Sequence, residues 1–168
     1  MMKQKHLIIL TVLLSISFSC TTVKIASNIS RENTSKLNNV FVMIQSEIKA
    51  SKFSNSFGTG LMSAFKKYDI KGKFETKNTL SFKTDENYLN LIKEFDPNQL
   101  IIIKQKAISY RAPNIIDAIT LEINILDYLS KKSSWKGELD IYGQVGLKDA
   151  IRKSVKKLLE RLENDNLI

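Results

Sequence analysis

The stretch AITLEINILDYLSKKSSWKGELDIYG, from Ala118 to Gly143, decides the fold of this chain. Apolar side chains occupy nearly every second position in both of its halves, and the positions between them are mostly polar or charged. A polar segment, Ser130 to Ser133, separates the two halves. Because successive side chains of a strand point to opposite faces, this pattern predicts an antiparallel hairpin with one apolar and one polar face. The apolar face must be covered by other parts of the chain.

Six further elements flank this hairpin, and their order predicts the architecture. Their apolar residues recur with a period of two, typical of strands, or with a period close to 3.6, typical of helices. The resulting order, β-α-β-α-β-β-β-α, predicts an α/β (α+β) sandwich with a mixed sheet of four to five strands and about three helices. The strands outside the hairpin are Asn39–Ser46, Lys73–Lys77 and Gln99–Tyr110, and the helices are Ser51–Tyr68, Asp85–Phe95 and Leu147–Glu163.

Each predicted helix has an apolar stripe that can pack against the sheet. Thr84 is a favourable N-cap for the second helix, because its hydroxyl can accept a hydrogen bond from a free backbone N–H. The third helix is strongly basic outside its stripe, and we expect the stripe to be buried in the core rather than inserted into a membrane. The stripes are Phe53, Phe57, Leu61 and Phe65; Tyr88, Leu91, Ile92 and Phe95; and Leu147, Ile151, Val155, Leu158 and Leu162.

The first twenty residues, MMKQKHLIILTVLLSISFSC, are organised like a secretory signal. Lysines precede a short apolar run, small polar residues follow it, and the segment ends in Cys20, the only cysteine of the chain. The apolar run is shorter than the roughly 20 residues that a membrane-spanning helix needs. The end of the segment resembles the lipobox of bacterial lipoproteins, although Ser17 and Phe18 differ from the residues that the lipobox prefers. The resemblance implies that Cys20 becomes the acylated N-terminus.

We therefore expect three parts in the chain. Residues 1–19 form a signal peptide, residues 20–38 a lipidated flexible tether, and residues 39–168 a single α/β domain. The tether is predicted because residues 21–38 are polar, rich in Ser, Thr and Asn, and without a sustained period. Removal of the signal leaves 149 of the 168 residues, enough for one domain with a full core.

The hairpin also carries a resemblance to a family. Within LEINILDYLSKKSSWKGELDIYG, the residues Asp127, Trp135, Lys136 and Gly137 match a hairpin of small bacterial periplasmic lipoproteins. The order of the elements and the basic last helix are similar to the family that includes the curli secretion lipoprotein and the amino-terminal domain of the Tol translocation protein. The resemblance implies binding and assembly in the cell envelope, and it supplies no active site.

The composition limits the partners and the chemistry. A formal charge of +9 is compatible with nucleic acid, anionic lipid or an acidic polymer, and export argues against nucleic acid. The single histidine, His6, is lost with the signal, so neither serine–histidine nor cysteine–histidine catalysis is available to the mature chain. Zinc sites built from cysteine and histidine are excluded for the same reason. We expect no metal and no cofactor.

Two alternatives to a binding protein stay open at the level of sequence. The remaining carboxylates could serve a small envelope hydrolase as acid and base, and a pocket between sheet and helices could carry an apolar ligand. Asp127 is the carboxylate that interrupts an apolar face, and we expect it to cap the Ser130–Ser133 turn rather than to catalyse a reaction. Trp135 alternates with apolar neighbours, which favours the core over a partner site.

The predicted partner surface is the polar face of the hairpin and its neighbours. Tyr110, Tyr128 and Tyr142 are expected to cluster there as an exposed aromatic patch. The function predicted from the sequence is a non-catalytic, lipid-anchored protein of the bacterial cell envelope that binds or helps to assemble another envelope protein. Its partners would be the membrane, through the lipid anchor, and that envelope protein, but not nucleic acid. The folded domain would lie in the periplasm, on either the inner or the outer membrane.

Overall fold

A computed structural model describes residues 21–30, 35–112, 115–143 and 146–168. In these ranges the chain forms six strands and three α-helices, with short 3₁₀ segments at Ile48–Ala50 and Lys66–Tyr68. The strands are β1 Thr22–Ile29, β2 Asn39–Gln45, β3 Lys71–Lys77, β4 Gln99–Ala112, β5 Ile115–Asp127 and β6 Ser133–Tyr142. The helices are α1 Ser51–Phe65, α2 Asp85–Phe95 and α3 Leu147–Asn164.

All six strands belong to one mixed sheet with the order β1-β6-β5-β4-β2-β3. Strand β2 runs parallel to both of its neighbours, β3 and β4, whereas the strands from β4 to β1 pair antiparallel. The predicted hairpin is the β5–β6 pair, and β4 extends it into a meander. The prediction of an α+β sandwich with a mixed sheet is confirmed, with six strands instead of four to five.

The additional strand is β1, and it corrects the prediction of a flexible tether over residues 20–38. Strand β1 pairs with β6 along its whole length, from Thr22 opposite Tyr142 to Ile29 opposite Trp135. Its side chains alternate between exposed and half-buried, and Val23, Ile25 and Ile29 pack against the core. The alternation is masked in the sequence by polar residues, because an edge strand needs apolar residues on one face only. The prediction failed because β6 offers a free edge that the sequence of residues 22–29 does not reveal.

Helices α1 and α3 cover one face of the sheet, which we call the covered face. The predicted stripes of both helices are buried against it, except that Leu147 is only partly buried. Gly58 of α1 lies so close to β3 that a Cβ atom there would come within 2.4 Å of the Phe74 ring. Close packing of the helix, as expected from the sequence, explains this glycine. The basic stripe-flanking residues of α3 face away from the core.

Helix α2 lies on the opposite face and covers only a part of it. Thr84 caps the helix as predicted: its hydroxyl accepts a hydrogen bond from the Asn87 backbone N–H, and the Asn87 side chain accepts one from the Thr84 N–H. A helix of 11 residues is about 16 Å long, so it spans few strands. It packs on β2 and the start of β4, where Phe41, Met43, Tyr88 and Ile92 form a second, smaller core. The remainder of this face has no helix over it.

Candidate functional surfaces

The uncovered part of the sheet is a charged surface formed by β1, β6, β5 and the second half of β4. We call it the open face, and its register places Lys104, Glu122, Glu138 and Ala26 in one row across four strands. Lys24, Asp140 and Thr120 form a neighbouring row, and Lys136 and Asn124 lie one pair further along. These side chains are half-buried or exposed, so the predicted polar face of the hairpin is confirmed.

The charges of the open face contact one another across the strands. Lys106 forms an ion pair with Glu138, and the Thr120 hydroxyl donates a hydrogen bond of 2.7 Å to the Asp140 carboxylate. The hydrogen bond to Glu138 and its negative charge raise the pKa of Lys106, with smaller contributions from Glu122 and Asp140. Opposite charges in neighbouring rows therefore compensate each other, and the surface is polar without being dominated by one sign.

The predicted tyrosine patch on this face is not formed. Tyr142 lies at the end of β6, opposite Ala118, and is exposed on the open face. Tyr128 follows β5 and packs against the smaller core under α2. Ten residues of β5 separate it from the level of Tyr142, or about 30 Å at about 3.3 Å per residue.

Tyr110 lies on the other side of the sheet from Tyr142. Strand β4 has a register shift between Gln105 and Ala107, and a bulge of this kind inverts the alternation of the residues that follow it. Ile108 consequently packs against the main core, and Lys49, in the segment that leads into α1, has its Nζ atom 6.0 Å from the centre of the Tyr110 ring. Burial and the nearby Glu47 carboxylate raise the pKa of Tyr110. A single unpredicted bulge thus separates the three tyrosines.

The carboxylates predicted for a hydrolase are not enclosed. Glu122 and Glu138 are direct cross-strand neighbours, but both belong to the open face, and Glu138 is paired with Lys106. A general acid at neutral pH usually owes its raised pKa to a desolvated pocket. Among the described residues, no group of three or more His, Cys, Asp or Glu side chains is close enough to hold a metal ion.

The most pronounced depressions of the described surface lie away from these carboxylates. One, of about 260 Å³, is an open groove at the end of β1 and β6 beside Asn28, Ser133 and Lys136. The other, of about 200 Å³, is an open groove between Val23 and the lysines of α3. Neither groove reaches between the sheet and the helices, where the core residues are almost completely buried.

Asp127 caps the β5–β6 turn, as predicted. Its carboxylate accepts a hydrogen bond of 2.7 Å from the Ser130 backbone N–H. The Ser130 backbone, followed by the Ser130 side chain, lowers the pKa of Asp127. The residue therefore stays ionised and stabilises the turn, in which Lys131 adopts a left-handed conformation with φ of 59°.

A polar cluster that the sequence analysis missed joins β1, β6 and the end of α3. The Trp135 indole N–H and the Ser27 hydroxyl each donate a hydrogen bond of 2.7 Å to Oδ2 of Asp165, and Arg161 Nε lies 3.0 Å from the same oxygen. Burial raises the pKa of Asp165, but the hydrogen bonds from Trp135 and Ser27 and the charge of Arg161 outweigh it, so the pKa lies below its usual range. The one available signal was that a buried tryptophan N–H needs an acceptor.

Trp135 itself is buried, with 1% of its surface exposed. Its ring packs over Gly137, where an added Cβ atom would lie 2.3 Å from the ring edge. The prediction of a core position is confirmed. The cluster around Asp165 is therefore structural: it locks β1 and the C-terminal end of α3 onto the hairpin.

Cys20, the predicted site of acylation, lies outside the described residues, but its neighbour Thr21 is well fixed. Thr21 is 4% exposed, and its backbone carbonyl accepts a hydrogen bond of 3.4 Å from Lys153 of α3. The described helices include none with the length and apolar character needed to cross a membrane.

Comparison with known proteins identifies the fold. The chain matches no protein-family model and no curated protein sequence. Among solved structures it is similar to two crystal forms of the PelC dodecamer from Paraburkholderia phytofirmans, at 10% and 8% identity. The TM-scores are 0.57 and 0.56, and each match covers 82% of this chain and 95% of that chain. Lipoprotein GNA1162 from Neisseria meningitidis aligns at 7% identity over 76% of this chain and 99% of that chain, with a TM-score of 0.46. The PelC likeness shows a shared fold.

Proposed function

We propose that this protein is a non-catalytic, lipid-anchored component of the bacterial cell envelope whose periplasmic domain binds another envelope protein through the open face. The observation that carries the proposal is the uncovered half of the sheet. Helix α2 covers β2 and the start of β4, so the charged rows on β4, β5, β6 and β1 stay accessible. A flat polar surface of several rigid strands suits recognition of a macromolecule better than enclosure of a small substrate.

The geometry argues against the two alternatives. A carboxylate hydrolase needs its acid and base on either side of a bound bond, in a site that excludes water, whereas Glu122 and Glu138 lie side by side on an open surface. A carrier of an apolar ligand needs a cavity, whereas the space between the sheet and α1 and α3 is filled by Trp135, Phe57, Phe65 and their neighbours. Binding of a protein partner is therefore the function that the geometry supports best.

The envelope location rests on the N-terminal residues. The signal-like segment ends in Cys20, the only cysteine of the chain, and the hairpin resembles that of small periplasmic lipoproteins. A Cys20→Ser variant tests the anchor, because serine cannot receive the thioether-linked lipid. We expect wild-type protein to sediment with membranes and to carry the mass of an acylated N-terminus, and the variant to move to the soluble envelope fraction. A variant that stays with membranes at an unaltered mass would contradict the lipoprotein assignment.

The open face is tested by charge reversal with a matched control. Lys104→Glu combined with Lys106→Glu changes two neighbouring charges of this face, and Lys66→Glu combined with Lys67→Glu changes two exposed lysines of the 3₁₀ segment after α1. A photo-crosslinking residue at position 122 should capture a defined partner in wild-type cells. The first double variant should reduce the crosslinked band severalfold and the second should not. Equal reduction by both, or a band unaffected by either, would remove the open face from the proposal.

The first partner to test is a second copy of this chain. PelC, with which the chain shares its fold, forms a dodecamer, and this likeness supports an assembly of identical subunits. Native mass spectrometry of the purified full chain measures its assembly directly. Crosslinks from position 122 to another copy would appear as a ladder at multiples of the chain mass, whereas a different envelope protein would give a single band of unrelated mass.

A further inference from the structure

The point at which the chain leaves the domain determines how close an anchor at Cys20 holds it. Thr21 is buried and bound by Lys153, and β1 begins at the next residue. The Cα atom of Cys20 is therefore only about 3.8 Å from that of a residue fixed in the domain. A flexible segment over residues 21–38 would have reached about 60 Å when extended, at about 3.3 to 3.6 Å per residue. Pairing of β1 with β6 removes that freedom.

The strand register defines which end of the domain this is. Thr22 lies opposite Tyr142, Tyr142 opposite Ala118, and Ala118 opposite Ser109. The β4–β5 hairpin continues for three more residues beyond this row, to Ile115, which is about 10 Å. The parallel strands β2 and β3 also end towards this side, because both run in the direction of β4. We call this the anchor end.

Exposed apolar side chains concentrate at the anchor end. Eight large apolar side chains are exposed among the described residues, and five of them lie in the segments that follow the row or the ends of β2 and β3. Phe82, between β3 and α2, is completely exposed at 104%, and Ile115 and Tyr142 are 51% and 43% exposed. The other two are Ile48 and Leu80. Isolated exposed apolar residues are ordinary, but a group of them at one end of a domain marks an interaction surface.

We propose that the anchor end rests on the lipid bilayer, with Phe82, Ile115 and Tyr142 in the interfacial layer of the phospholipids. This inference rests on the proposed acylation of Cys20. Aromatic rings favour the boundary between headgroups and acyl chains, and apolar side chains at the same level bury their surface there. Lys49 and Arg111, which lie beside Ile48 and Ile115 in the chain, can extend to phospholipid headgroups in the way that long basic side chains do at membrane interfaces.

Docking in this orientation also directs the rest of the domain. The β5–β6 turn, with Leu129 at 87% exposure, is at the opposite end of the strands and would point away from the bilayer. The open face would stand roughly along the membrane normal and remain available to a protein partner. The anchor therefore sets both the distance and the orientation of the binding surface.

The single cysteine makes a direct test possible. Because Cys20 is acylated in the proposed mature protein, Phe82→Cys, Ile115→Cys and the control Leu129→Cys each introduce the only free thiol. The full-length variants are labelled with an environment-sensitive fluorophore and reconstituted in vesicles of phosphatidylethanolamine and phosphatidylglycerol that contain lipids with a quencher in the acyl chains. All three labels replace exposed side chains, so circular dichroism spectra should match that of the wild type.

We expect severalfold stronger quenching of the labels at positions 82 and 115 than of the label at position 129. Equal, weak quenching at all three positions in acylated protein would overturn the docking proposal and leave the anchor intact. Protein that lacks the acyl mass and does not bind the vesicles would overturn the anchor, and the docking proposal with it. Strong quenching at position 129 with weak quenching at positions 82 and 115 would show the inverted orientation and would also refute the proposal.

Discussion

The two faces of the β5–β6 hairpin are made by alternate residues of the same strands, yet they serve different ends. On the covered face, Trp135, Leu139 and Ile141 of β6 are at most 4% exposed. On the open face, Lys136, Glu138, Asp140 and Tyr142 of the same strand are half-buried or exposed. Burial of apolar surface makes the first set responsible for stability, and the lack of a covering helix leaves the second set free to bind. Substitutions on either side of one strand should therefore separate folding from function.

The largest effect is expected for Trp135→Ala. Removal of a fully buried tryptophan leaves a cavity and costs about 3–5 kcal/mol of the free energy of unfolding. A loss of this size is a large fraction of the stability of an ordinary domain. Equilibrium denaturation of the variant measures it, with Lys136→Ala on the adjacent, exposed position as the control. A Trp135→Ala protein as stable as this control would show that the covered face does not hold the domain together.

Asp165→Ala should come next, because it removes the acceptor for the Trp135 indole N–H and the Ser27 hydroxyl. Buried donors left without a partner cost about 1–3 kcal/mol each, and we expect a loss of about 2–3 kcal/mol in urea denaturation. Asp165→Asn keeps an acceptor oxygen and should lose less. A variant with alanine that unfolds at the wild-type urea concentration would contradict the role of the cluster.

The same carboxylate predicts a dependence on pH. Since the pKa of Asp165 is below its usual range in the folded protein, the unfolded state binds a proton more readily. The stabilisation is present above the ordinary pKa of an aspartate, about 3.9, and is lost as the pH falls through the lower pKa of the folded state. The free energy of unfolding of the wild type should fall more steeply between pH 4 and pH 2, on the order of these pKa values, than that of Asp165→Asn. Parallel curves would show that Asp165 does not contribute.

Gly137→Ala should have a smaller effect of the opposite kind, overpacking. Its Cβ atom would lie 2.3 Å from the Trp135 ring, and displacement of a packed ring typically costs about 1–3 kcal/mol. Near-ultraviolet circular dichroism reports the tryptophan environment and should change together with the midpoint of thermal unfolding. The double variant with Trp135→Ala should lose less than the sum of the two single effects, because the alanine at position 135 makes room.

The smallest effect on stability is expected on the open face. Lys106→Ala removes the ion pair with Glu138, and exposed ion pairs contribute little to stability. The midpoint of chemical denaturation should stay at the wild-type value, while partner crosslinking from position 122 should weaken. A large loss of stability would instead assign the charged rows to folding and blur the contrast between the two faces.

The helices and the hairpin could be predicted from the sequence because their signals are local and repeated. The stripe of α1, the cap at Thr84, the Asp127 turn and the alternation around Trp135 each depend on neighbouring residues only. Strand β1 could not be predicted in the same way, because half of its residues face solvent and its identity as a strand depends on the free edge of β6. The tyrosine patch failed for a related reason: one bulge in β4 moved Tyr110 to the other face.

The sequence by itself determined the layers of this protein: a hairpin with one apolar and one polar face, three amphipathic helices to cover apolar surface, and a signal-like start that ends in Cys20. Tertiary structure alone decided three further features. The short α2 leaves half of one face open, Asp165 meets Trp135 and Ser27 across β1, β6 and α3, and β1 joins the sheet directly after Thr21. Each of these depends on contacts between residues far apart in the chain, where hydrogen-bonding partners and helix lengths, rather than local periodicity, set the outcome.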